Sequence, residues 1–249
     1  MIFRMGLVLS GARETIWGVM VVLSSRWRVW AGMACLIIGP VAQVVQYLVT
    51  PVSPADSPAK GVAQAAAHPA AMRWALAFDV PLILVIPAVL YVGLVGGAGR
   101  SRLAGAGTVL AFLPSVAAEF LLLGDALVYE ASRRPDRAAA VSLVKAYYDN
   151  GVVAGLIVLY LAAHVVGFVL LAVALWRSRA VPRWAAVALG LSPVVEMLGV
   201  GSGVKPVGAL GYALLAVGFI ACAARLRGRS EIVESATSPA VAPAVAASR

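Results

Sequence analysis

An all-α fold, a polytopic membrane helix bundle with six transmembrane helices, is what this sequence predicts, and three observations predict it. Six stretches are apolar for roughly the twenty residues that carry a helix across a ~30 Å hydrocarbon core. With 62% hydrophobic and only 12% charged residues, the composition is far from the balance of a water-soluble domain. The cations, finally, punctuate the ends of the apolar stretches instead of forming a stripe interleaved with aromatics. The net charge of +9 therefore reads as membrane topology, and nucleic acid is not expected as a partner.

Taken in order, the chain opens on a segment, residues 1–28, with two short apolar runs at 6–12 and 15–23 separated by Arg13 and Glu14. It lacks the uninterrupted core and small-residue cleavage site of a signal peptide. An interfacial helix on the inner leaflet is preferred to a seventh span that would bury an Arg13–Glu14 pair. The transmembrane domain, 29–224, holds the six spans at 29–49, 72–95, 103–127, 151–176, 184–200 and 206–224. Residues 50–72, with Pro51, Pro54, Pro58 and an alanine-rich run, read as a flexible outer loop, and the glycines at 96, 97 and 99 as a short inner hairpin. Residues 225–249 are rich in Ala, Ser, Pro and Val without helical periodicity, and a disordered cytoplasmic tail is expected there.

Sorting the Lys and Arg residues by loop gives the orientation. With the N-terminus inside, thirteen cations fall on the cytoplasmic side, from Arg4, Arg13, Arg26 and Arg28 through Arg100, Arg102, Arg177, Arg179 and Arg183 to the tail. Seven fall outside: Lys60, Arg73, Arg133, Arg134, Arg137, Lys145 and Lys205. This bias predicts both termini in the cytoplasm, with the bundle in the cell membrane. Trp27, Trp30, Trp176 and Trp184 cluster at one boundary, and Tyr47, Trp74, Tyr129, Tyr147 and Tyr148 at the other, as two interfacial belts would.

Inside the spans the polar residues form a layer. At ~1.5 Å per residue, Asp79, Glu119 and Glu196 each fall roughly 9–12 Å below the outer boundary, with Gln43 and Tyr160 at similar depth and His164 one turn beyond Tyr160. A carboxylate in hydrocarbon is costly and marks a functional site by default. Pro81 and Pro193 lie close to two of the acids and can bend their helices to open space. Glu119 and Asp79 are therefore the expected proton-handling, catalytic pair, and Glu196, Tyr160, Gln43 and His164 the groups that bind and orient a substrate. The competing reading is that the acids pair with Lys205, Arg73 and interhelical donors only to fix packing.

Several chemistries have no footing. Paired aspartates, His-Glu-x-x-His and Cys-x-x-Cys are all absent, so no metal is expected. A bis-histidine haem would need two histidines in facing spans, whereas His68 lies in the outer loop and only His164 is intramembrane; no cofactor is expected. Cys35 and Cys222 read as small core residues. There is no nucleophile elbow and no phosphate-cradling glycine loop.

Three function classes follow. The first is a membrane-embedded acid–base enzyme acting on, or binding, a lipophilic small molecule. The second is a small proton- or cation-coupled transporter, the third a structural membrane subunit. The two three-helix halves show no repeat and no pair of glycine-interrupted helices, which counts against alternating access. Six helices are also few for a transporter unless copies associate into an oligomer. Membrane lipids are the remaining expected partner.

Overall fold

A computed structural model describes residues 26–99 and 101–237, and within them the chain is helical throughout, without strands. Nine helices follow one another among the described residues: α1 (Arg26–Val49), α2 (Pro58–Ala67), α3 (Pro69–Leu82), α4 (Val85–Gly96), α5 (Arg102–Ser132), α6 (Arg137–Tyr148), α7 (Gly151–Ser178), α8 (Arg183–Ser202) and α9 (Lys205–Thr237). Five of them, α1, α5, α7, α8 and α9, are long and apolar enough to cross a membrane. The pair α3 and α4, bent by 41° at a short break, makes a sixth span when taken as one. The protein is thus an all-α polytopic membrane bundle. The expected interfacial helix in the first 25 residues and the last twelve residues of the tail lie outside the described residues.

The breaks between helices have local causes. Pro81 has no N–H to give to the preceding turn, and past it the chain tightens, with the Leu84 N–H donating to the Pro81 carbonyl at 3.1 Å and the Ile86 N–H to Ile83 at 3.2 Å. Helix α5 starts where the Ser101 hydroxyl accepts the Ala104 N–H, and α7 where the Asn150 side chain accepts the Val152 N–H at 2.9 Å. The hairpin between α8 and α9 turns at Gly203, whose φ of 70° is left-handed backbone that glycine adopts without a Cβ penalty.

Packing divides the bundle into two zones. Helix α5 lies along α7, while α9 lies along α8 and α1, and the short helix α4 is wedged among α1, α5, α7 and α9. Its Val85, Ala88, Val89, Val92 and Val95 are buried against Leu36, Phe168, Leu171, Leu175, Leu215 and Phe219, forming an apolar core. The second zone is a smaller cluster at the opposite end of the spans: Val62 and Ala65 of α2, Met72 of α3, Val128 and Ala131 of α5, and Ala140 and Val144 of α6. Here α2 and α6 lie over the ends of the spans, and we call this the capped side. Around the bundle a belt of large apolar side chains stays uncovered, among them Val80, Leu123, Val158 and Leu198, each more than 60% exposed. Such a continuous apolar surface is stable in lipid and not in water.

The structure corrects the sequence reading in two places and adds a helix in a third. Residues 50–72 are not a loose loop. Ser57 caps α2, Pro58 sits in its first turn, and the alanine-rich run that looked low in complexity is good helix-forming sequence with a buried face. The connection between the third and fourth spans likewise contains a helix, α6, capped by Asp136, whose carboxylate accepts the Ala139 N–H at 3.0 Å. At the far end, α9 continues past 225 to Thr237, where an irregular tail was expected.

Candidate functional site

Two polar clusters lie in the half of the bundle toward the capped side, one on each flank of α1. The first is organised by Glu196, which α8 buries to 3% exposure. Tyr160, on α7, donates its hydroxyl to Glu196 Oε1 at 2.6 Å, and His164 Nε2 stands 3.3 Å from Oε2. The two α7 residues are one turn apart on one face, so their rings stack, with centroids 4.7 Å apart. Phe168, a further turn along, closes the far edge of the imidazole. From α9, the Tyr212 hydroxyl approaches the same carboxylate. On its other side Tyr212 meets Tyr47 of α1, with ring centroids 4.9 Å apart.

Glycines make this cluster possible. A Cβ on Gly211 would run into the Glu196 backbone, and one on Gly208 into the Tyr47 ring, so α9 lies directly against its neighbours where the polar groups converge. The result is a carboxylate ringed by three hydrogen-bonding side chains, the arrangement that makes a buried charge tolerable. One group is left over. His164 Nδ1 is buried and has no hydrogen-bond partner among the described residues.

The second cluster lies between α1, α3 and α5. Gln46, on α1, donates its amide to Asp125 Oδ2 of α5 at 3.3 Å. Asp79, on α3, faces Asp125 first and Glu119 second, with the Gln46 amide beside it. The Gln46 amide comes near Asp79 without closing a hydrogen bond, so among the described residues both Asp79 carboxylate oxygens are buried with no bond closed on them, as is the Gln43 carbonyl oxygen one turn along α1 from Gln46. Among the described residues no ion pair reaches Asp79, Asp125 or Glu119. Two tyrosines of α6 close the cluster toward the capped side. Tyr147 donates to the Phe120 carbonyl at 3.2 Å, and the Tyr148 hydroxyl lies over Gly124. Burial, with the neighbouring Asp125 and Tyr147 adding to it, pushes the Tyr148 hydroxyl up to about 12, so it stays protonated.

The six expected site residues are therefore split. Glu196, Tyr160 and His164 meet as one unit, whereas Asp79 belongs to the other with Gln43 close by on α1, and Glu119 is not brought against it. Lys205 does not pair with Glu196; its ammonium donates to the Thr50 carbonyl at 2.6 Å. The equal-depth argument erred on α5 because that helix runs to Ser132, beyond the expected end at 127. Asp125, not Glu119, is thus the α5 acid joined to Gln46 and foremost beside Asp79. Glu119 sits about 9 Å further along the helix axis and some 120° around it, half-buried and without a hydrogen bond. Sequence reasoning also passed over Gln46, Tyr47 and Tyr212. Gln46 had a signal, since it repeats Gln43 at helical spacing, whereas the tyrosines looked like interfacial or core aromatics.

Among the described residues no three His, Cys, Asp or Glu side chains gather in a way that could hold a metal ion. Comparison with known proteins adds no relative: no family model, no curated protein and no solved structure matches the chain.

Proposed function

We propose that the protein is a small proton-coupled transporter in which Asp79 exchanges a proton for a lipophilic cation. The observation that carries this reading is Asp79 itself, buried in a membrane span with no hydrogen bond closed on either oxygen among the described residues, with only the Gln46 amide and two further acids near it and no cation among its described partners. Hydrocarbon tolerates such a group only when a proton or a bound cation neutralises it. Each state excludes the other, and that exclusion is the coupling. An apolar setting selects a cation that is itself lipophilic, such as an amine or an onium ion. The bend between α3 and α4, three residues past Asp79, supports movement, because discontinuous spans carry ion sites in transporters. On this reading the capped side is external, as the distribution of Lys and Arg predicts.

Proton release tests it. Adding tetraphenylphosphonium to the detergent-solubilised protein in weak buffer should release protons, and Asp79→Asn should abolish the release while leaving the melting temperature within a few degrees. Absence of release from the wild type, or equal release from Asp79→Asn, would overturn the proposal. A second reading, acid–base catalysis on a lipophilic substrate, draws support from the other cluster. There Glu196 orients His164, whose free Nδ1 is placed as the base of a carboxylate–imidazole pair is. Turnover of a copurifying lipophile, lost in His164→Gln but kept in Asp79→Asn, would favour it.

A further inference from the structure

On the capped side a cavity of about 350 Å³ opens between the end of α1, the loop leading into α2, and the hairpin joining α8 to α9. Tyr47 forms part of its wall, and Lys60, Gln64, Ser202 and Lys205 supply polar side chains from three different elements. That volume lies in the range of small-molecule sites, large enough for a phosphate and a few attached atoms and too small for acyl chains.

The charges lining this vestibule do not cancel. Asp56 is paired with Lys60 at 2.6 Å and accepts the Ser53 N–H at 2.9 Å. Burial alone would raise the Asp56 carboxyl, but Lys60 and the Ser53 amide outweigh it and hold it below the usual carboxylate range, so it stays ionised at neutral pH. One lysine is thereby neutralised. The other, Lys205, gives one of its three N–H donors to the neutral Thr50 carbonyl, and no acid pairs with it among the described residues. A net positive charge with free donors thus faces a cavity walled by hydroxyl and amide groups.

Position narrows the ligand. Lys205 is the first residue of α9, and Thr50 follows the last residue of α1, so the ammonium stands at the ends of two spans. That is the level at which lipid phosphates lie, and basic pockets there bind headgroups. We propose that the vestibule binds a phosphate monoanion, with Lys205 as its principal contact and Lys60 and Gln64 around it; the Ser202 hydroxyl, which donates to the Leu198 carbonyl at 2.6 Å, only lines the wall. This claim does not rest on Asp79, and either can fail without the other.

The test is a titration of the protein in a neutral maltoside detergent with two probes, dihexanoyl phosphatidylglycerol and inorganic phosphate, followed by phosphorus NMR line broadening. Wild type should bind at least one of them. Lys205→Gln should weaken binding about five- to tenfold, the worth of one lysine at a phosphate. Lys205→Arg should restore it, and Lys145→Gln, on α6, should leave it unchanged. Tighter binding of the lipid probe assigns the site to a headgroup, and equal or tighter binding of inorganic phosphate to a free anion. If neither probe binds, or if Lys145→Gln weakens binding as much as Lys205→Gln, the proposal is wrong. Should Lys205→Gln lower the melting temperature, Gln64→Leu provides the independent variant, expected to weaken binding without touching the Lys205–Thr50 link.

Discussion

At the scale of single residues, what separates the two clusters is how completely their polar atoms are satisfied. Glu196 has a partner on each carboxylate oxygen, whereas Asp79 and Gln43 keep buried acceptors with none. Removing one donor from a satisfied buried carboxylate costs about 1.5–3 kcal/mol, because the bond is charge-assisted and the oxygen left behind stays desolvated. Removing an unpartnered polar group costs little. Tyr160→Phe should therefore lower the thermal midpoint clearly, while Gln43→Leu should leave it unchanged or raise it; the reverse order in a fluorescence melt would show that the pairing has been misassigned. The same contrast explains what was legible. Glu196, Tyr160 and His164 were legible only as members of one polar layer, with Tyr160 and His164 on one face of a helix; that they meet each other and exclude Gln43 was not. Asp125 could not be chosen over Glu119, because that choice depends on where α5 ends and how it is rotated. Both are set by packing against α6 and α7, which no periodicity in the sequence records.

Among the elements, the two short helices of the capped side shape the surroundings of both clusters and of the vestibule. Helix α6 lays Tyr147 and Tyr148 over the Asp125 cluster, and α2 carries Lys60 and Gln64 into the vestibule wall. The spans were readable because twenty apolar residues in succession admit few alternatives. Helix α2 was not, since its ten residues are alanine-rich and begin on Pro58 with two more prolines just upstream, and the loop signal outweighed the propensity. Its cap decides the matter in the structure. The Ser57 hydroxyl accepts the Lys60 N–H, and its loss costs a helix about 1 kcal/mol. Ser57→Ala should accordingly speed amide exchange in α2 about fivefold, which is 1 kcal/mol expressed as a ratio, with α6 amides unaffected. Exchange unchanged in α2 would mean that Val62 and Ala65, packed against α5 and α6, hold the helix without help from the cap.

For the whole molecule, the polar groups gather toward one membrane face and the hydrocarbon core toward the other, and the direction in which this polarity points determines what the protein can exchange with which compartment. Vestibule and Asp79 both lie toward the capped side, while the apolar core around α4 and Phe168 occupies the opposite half. Among the described residues nine Lys and Arg belong to the uncapped side and seven to the capped side, the sequence-based sorting of all twenty predicts thirteen against seven, and short loops with the larger share of Lys and Arg are retained in the cytoplasm. The capped side should thus face outward, with both termini inside. Single cysteines placed in a background of Cys35→Ala and Cys222→Ala check this in intact cells, at sites that leave the helix caps alone. Ser142, exposed on α6, should react with an impermeant maleimide added from outside, and Arg177, exposed in the last turn of α7, only after the membrane is permeabilised. The opposite pattern would invert the orientation, and the lipophilic cation exchanged at Asp79 would then be taken from the cytoplasmic leaflet. Labelling of both positions from outside would contradict the six-span arrangement itself, because α7 would then fail to cross.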